Sequence, residues 1–142
     1  SYNHACVMSR AREWCPIVQV GIRSVDSEEV SRLDKSRVFW AHEIRCDRQG
    51  SWMDRAIELL TEEVYVTIDV DGFDPSVVPA TGTPEPGGFS WYQVNDLLAK
   101  VAAARRVVGF DVVELIPGHA PSAFTAAKLV YRFLAEIFAS SR

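Results

Sequence analysis

Apolar positions along this chain repeat with two periods, and the periods alternate. Runs such as Val64-Tyr65-Val66-Thr67-Ile68 are β-branched and aromatic throughout, as expected of a strand in a parallel sheet buried on both faces. Segments at Ile17–Gly21, Arg37–His42 and Arg106–Val113 are read as strands on the same grounds. Between them the spacing changes to that of helices. Met53, Ile57 and Leu60 predict an amphipathic helix over Ser51–Thr61. Val94, Leu97, Leu98 and Val101 predict another that Ser90 caps and that runs to about Ala104. Helices are also expected over residues 5–14, ended by Cys15-Pro16, from Ser27 with Asp26 or Ser27 as N-cap, and over Ser122–Ala139. Alternation at this spacing implies an α/β protein: one domain, a three-layer αβα arrangement, parallel strands and right-handed crossovers.

Composition narrows the function classes. With 142 residues, 48% hydrophobic and 24% charged, the chain can bury a sizeable core. Its net charge of −4 gives no electrostatic attraction to nucleic acid or to an anionic membrane. No apolar run reaches the roughly 20 residues of a membrane span. The opening Ser1-Tyr2-Asn3-His4 has neither the basic flank nor the apolar stretch of a secretory leader, so a cytoplasmic protein is expected. Cys6, Cys15 and Cys46 lack metal-site spacing and read as reduced thiols.

The chemistry concentrates at Asp69-Val70-Asp71-Gly72-Phe73-Asp74-Pro75, where an apolar strand runs into three carboxylates. Burying carboxylates there is unfavourable without a cation. The strand's side-chain period of two puts Asp69 and Asp71 on one face, and paired carboxylates suit a hard divalent cation. Two other readings compete. An EF-hand loop needs its glycine sixth and a helix in front, whereas Gly72 is fourth and a strand precedes. A plain Asx turn accounts for Asp71 and Asp74 but leaves Asp69 unexplained. The Gly/Pro-rich run from Gly72 to Gly88 is longer than a simple connector, and such loops are commonly functional. Ligands of parallel sheets bind beyond the carboxyl ends of the strands, where Asp26, Asp69, Asp71 and Glu114 would gather as an acidic rim.

The stretch Thr67–Pro75, continuing through Pro79-Ala80-Thr81-Gly82-Thr83-Pro84-Glu85-Pro86-Gly87-Gly88, resembles the second metal signature of the ureohydrolases, the arginase/agmatinase family. Asn3–Met8, Val18–Ser24 and Val108–Glu114 agree with it in colinear order, and Glu85–Tyr92 is closer to the agmatinase branch. The resemblance implies an arginase-like fold, hydrolysis of a guanidino compound to urea at two Mn²⁺ ions, and agmatine, giving putrescine, as substrate. Trimers or hexamers of one chain are implied as well. Two of the family's ligand motifs, Gly-Gly-Asp/Glu-His and Asp-Ala-His-x-Asp, do not occur in this sequence, so residues 1–142 correspond to the C-terminal portion of a single ureohydrolase domain with an incomplete metal site. A non-catalytic remnant or binding module is therefore the alternative from a different class, and arginine and guanidinobutyrate are alternative substrates.

By the same resemblance Asp69 and Asp71 are metal ligands, and Glu114 pairs with the substrate guanidinium through charge-assisted hydrogen bonds. A rim salt bridge from Glu114 to Arg105 or Arg106 is the alternative. His4 matches a histidine that moves a proton near the leaving amine, a task suited to an imidazole pKa of about 6.5. Asp26 faces the far amine of the substrate or, equally, caps its helix. Thr83 lies on the substrate side or simply serves the turn. Asp111 is expected as a buried hydrogen-bonding support. His119, Phe39-Trp40 and Trp91-Tyr92 are assigned to loop filling, packing or subunit contact.

Overall fold

The computed structural model describes residues 6–140. In chain order the elements are α1 (Val7–Ala11), β1 (Gln19–Ile22), α2 (Ser27–Val30), β2 (Val38–Trp40), α3 (Ala41–Cys46), α4 (Ser51–Glu58), β3 (Glu63–Asp69), α5 (Trp91–Ala104), β4 (Arg106–Val113) and α6 (Ala120–Ser140). Both strand pairs are parallel, as the alternation requires. They form two separate ladders, β1 with β2 and β3 with β4.

The principal core lies between β3–β4 and the long helices α5 and α6. Ile68 and Val70 from the strand end, Phe73 and Val78 from the following loop, Leu98 and Ala102 from α5, and Leu129 and Phe133 from α6 form one cluster. Leu129 and Phe133 are essentially inaccessible, and full burial of such side chains is worth roughly 1.5–3 kcal/mol each. Phe110 meets Phe133 edge-on with 5.0 Å between ring centroids. A second cluster of Ile44, Trp52, Met53 and Phe89 anchors α3 and α4, with Trp52 stacked on Phe89.

Side-chain alternation gives β3 a closed and an open face. Val64 and Ile68 are buried, whereas Tyr65, Thr67 and Asp69 are exposed on the other side. The partner strand places Gly109, Asp111 and Val113 opposite those three residues. Tyr65 Oη and Thr67 Oγ1 donate to Asp111 at 3.0 and 2.6 Å, so Asp111 supports its neighbours but is half-buried where full burial was expected.

Several local expectations need correction. Arg37–His42 is not one strand: Lys35–Arg37 is a 3₁₀ turn capped by Asp34, the strand is Val38–Trp40, and His42 lies in α3. Ala41, Glu43 and Arg45 are good helix formers, and they outweigh the short apolar run before them. The first helix ends at Ala11 and β1 starts two residues later than expected, after Pro16. By contrast α5 begins as the Ser90 capping box demands, with Gln93 Oε1 returning to the Ser90 N–H.

Candidate metal centre

β3 ends at Asp69, and the chain then makes a 3₁₀ turn over Val70–Gly72. The period-two argument thus stops two residues short of Asp71: the turn, and not strand pleating, sets Asp71 beside Asp69. Asp69 is itself the N-cap of that turn, its Oδ1 accepting from the Asp71 N–H at 2.8 Å. Asp71 Oδ2 accepts from Thr83 Oγ1. Its main-chain carbonyl accepts from Arg23 Nη2 at 2.5 Å. The remaining atom, Oδ1, is buried and has no hydrogen-bond donor among the described residues. A buried carboxylate oxygen left in that state costs about 1–3 kcal/mol or more unless something positive meets it.

The surroundings sharpen that demand. Burial raises the Asp69 carboxyl above its usual range even though the side chain reaches solvent. The negative charges of Asp71 and Glu114 push it the same way, while the Asp71 N–H and the Arg23 guanidinium oppose the shift. A divalent cation would reverse the balance by favouring the ionised form. The carboxylates of Asp69 and Asp71 are thus of the chemistry that suits a divalent cation, and they are the residues of this chain that would hold one. They do not complete a site: among the described residues no group of three or more His, Cys, Asp or Glu side chains could hold one.

Glu114 follows β4 in the left-handed region, φ 66°, a conformation that is uncommon outside glycine. Thr81 Oγ1 donates to its carbonyl at 3.1 Å, and Thr81 bridges Leu115, so the 72–88 loop folds against the residues after β4. Glu114 Oε2 would stand 4.0 Å from a Cβ at Gly82. The alternative partners of Glu114 are engaged at the opposite end of β4. Arg106 pairs with Glu63, and Arg105 donates to the carbonyls of Ile57, Leu60 and Ala104. Asp26 caps α2, its Oδ1 accepting from the Glu28 N–H at 2.8 Å. Thr83 serves the carboxylate of Asp71. His4 lies outside the described residues.

Arg23 escaped the sequence reading. An arginine placed just past an apolar strand, on a rim where acids gather, was the available signal. His119 was also read too plainly: its Nδ1 lies 2.7 Å from Ser122 Oγ and accepts from the Ser122 N–H, ordering the first turn of α6.

Asp74 shapes the loop behind Asp69 and Asp71. Ser76 Oγ and the N–H groups of Ser76 and Gly87 donate to it and hold its carboxyl down at about 2. A depressed carboxylate contributes stability that is present above its unfolded pKa, about 3.9, and is lost as pH falls through the folded value. Asp74→Asn is therefore expected to flatten the stability profile between pH 4 and pH 2 and leave its shape above pH 5 unchanged. Acid titrations followed by circular dichroism check this, and parallel profiles for both proteins would refute it.

Known proteins resemble this chain in sequence and in fold. The sequence profile described as the arginase family matches residues 1–138. An N(1)-aminopropylagmatine ureohydrolase of Thermus thermophilus is 45% identical over 92% of this chain. An agmatinase of Pyrococcus horikoshii is 40% identical over 92%. Those alignments cover 45% and 46% of the relatives, so the chain spans about half the length of the curated proteins it matches. Among solved structures, an agmatine ureohydrolase of Thermoplasma volcanium superposes with a TM-score of 0.81 at 35% identity, over 96% of this chain and 50% of that one. A proclavaminate amidino hydrolase of Streptomyces clavuligerus gives 0.75 at 32% identity, over 87% and 43%. The fold is that of the arginase-like αβα class. The chain belongs to the arginase family.

Proposed function

We propose that these residues form the C-terminal portion of a ureohydrolase domain whose intact form removes urea from a guanidino-bearing amine at two divalent cations, Mn²⁺ foremost. The observation that carries the metal reading is Asp71 Oδ1, a buried carboxylate oxygen without a donor, beside an Asp69 whose ionised form is already disfavoured. Cations bound there supply acidified water and stabilisation of developing charge. Asp69 and Asp71 hold them, and Thr83 keeps Asp71 oriented. Glu114, on the same rim, pairs with the guanidinium and turns its carbon toward the carboxylate pair. Water adds to that carbon, the bond to the amine nitrogen breaks, and the amine leaves with a proton that His4 is suited to deliver.

The favoured substrate is agmatine or an aminopropyl-extended agmatine, in keeping with the names of the similar relatives. Such substrates carry a cationic amine at the far end and no carboxylate. Asp26, when not wholly committed to its cap, is the acid for that amine. The open face of β3–β4, and exposed Phe124, Tyr131 and Phe138 at seven-residue spacing on α6, are surfaces for the remainder of the protein or for further copies in a homo-oligomer. A panel of agmatine, N¹-aminopropylagmatine, guanidinobutyrate and arginine on the full-length Mn²⁺-loaded protein tests the reading. Urea release is expected at least tenfold faster, in kcat/KM, from one of the first two than from arginine. Faster turnover of arginine would overturn it.

A further inference from the structure

Asp71 is constrained at almost every atom that can hydrogen-bond. Its N–H is used by Asp69, its Oδ2 by Thr83 and its carbonyl by Arg23, which leaves Oδ1 alone unengaged among the described residues. Two of those partners are near in sequence and belong to the turn or the loop that follows it. Arg23 does not. It comes from the end of β1, in the other strand pair, 48 residues earlier.

The guanidinium is half-buried and binds main chain. Nη2 donates to the carbonyls of Asp71 at 2.5 Å, Phe73 at 3.3 Å and Glu85 at 2.7 Å, and Nε donates to Glu85 at 3.0 Å. Three carbonyls from the two ends of the 72–88 loop thus converge on one planar cation. Convergent carbonyl oxygens repel one another, and a cation between them relieves that repulsion. A guanidinium does so with a fixed fork of donors that an ammonium lacks. No ion pair with a carboxylate within 4 Å is seen for Arg23 among the described residues: its N–H donors go to the loop backbone, while its charge also eases ionisation of Asp69.

We propose that Arg23 is a positioning residue for the metal centre: by clamping the carbonyls of Asp71, Phe73 and Glu85 it fixes the direction in which Asp71 Oδ1 points. It touches neither substrate nor metal in this role. The inference rests on the metal reading above and deepens it. Ligands held in place before the ion arrives bind it more tightly, and loss of a supporting partner costs about 10–100-fold in metal affinity.

The test is a Mn²⁺ titration of the metal-stripped full-length protein, followed by the electron paramagnetic resonance signal of free Mn²⁺. Wild type, Asp71→Asn, Arg23→Gln and Arg23→Lys are compared, each with a thermal melt. Arg23→Gln is expected to weaken Mn²⁺ binding at least tenfold, and Arg23→Lys by about threefold or more, because the charge survives but the fork does not. Unchanged affinity in a folded Arg23 variant, whatever its melting temperature, would reduce Arg23 to a structural residue and overturn the proposal. If Arg23→Gln does not fold, Arg23→Lys decides by the same criterion. A wild type that binds no Mn²⁺, or an Asp71→Asn that binds it normally, would sink the metal reading itself. Normal loss in Asp71→Asn beside unchanged Arg23 variants would sink only this inference.

Discussion

Asp71→Asn in the full-length protein is expected to lower kcat/KM by roughly 100-fold or more, since even residues one layer behind a metal cost about 10–100-fold. The asparagine keeps the shape of the aspartate. Its amide can still satisfy Thr83, whose hydroxyl both donates and accepts. What it removes is the negative charge of the carboxylate whose Oδ1 lies buried without a donor. The two divalent cations of the proposed function would need that charge. The metal-free protein does not, because Asp71 raises the Asp69 carboxyl by repulsion. The melting temperature of the metal-stripped variant should therefore equal or exceed that of the wild type, while bound Mn²⁺ falls. Excess Mn²⁺ is expected to restore part of the rate by mass action. Asp69→Asn should fail in the same way, as the other carboxylate of the pair. Metal content by mass spectrometry, read beside urea release, decides the matter: two ions retained with near-normal turnover would leave the centre without support.

Much of this arrangement was legible in the sequence because the signals were local. The capping box at Ser90, the stripe through Leu98 and Val101 and the apolar run before Asp69 each specify their own element, and each is where it was expected. The site was legible in composition but not in geometry. Asp69 and Asp71 were chosen by a strand period, yet a 3₁₀ turn places Asp71, and only the turn lets the Asp71 N–H reach Asp69. The left-handed Glu114 had no sequence mark, since the residues around it are not the glycines or asparagines that usually adopt that region. Arg23 was missed for a related reason: its place past an apolar strand marks it, but its partners are carbonyls, which every residue carries and no pattern distinguishes. The helix at Ala41–Cys46 was masked by the aromatic pair Phe39-Trp40 just before it.

The second large effect should come from a residue with no side chain. Gly88 lies flush against the backbone that leaves the 3₁₀ turn: a Cβ there would sit 2.5 Å from the carbonyl carbon of Phe73, 2.6 Å from the Asp74 nitrogen and 2.6 Å from the Phe73 oxygen. All three are backbone atoms, so no flexible side chain can swing aside. The close approach exists because the neighbouring residues pair main chain to main chain. The Asp74 N–H donates to Phe89 O at 2.9 Å, and the Phe89 N–H donates to Gly72 O at 2.9 Å. Gly88→Ala must push these segments apart, giving up both bonds and the burial of Phe73 and Phe89, which are 2% and 7% exposed. Overpacking of this kind costs about 1–3 kcal/mol, and the rigid backbone argues for the upper end. The displaced residues stand two and three positions from Asp71, so activity should fall at least tenfold along with stability. Gly72→Ala is the control, since a Cβ at Gly72 meets nothing within 4 Å although it adjoins Asp71. Thermal melts and urea release on both variants test the argument. A Gly88→Ala protein that melts with the wild type, or a Gly72→Ala protein that loses as much as Gly88→Ala, would show that the contact of Gly88 with Phe73 and Asp74 does not set the loop.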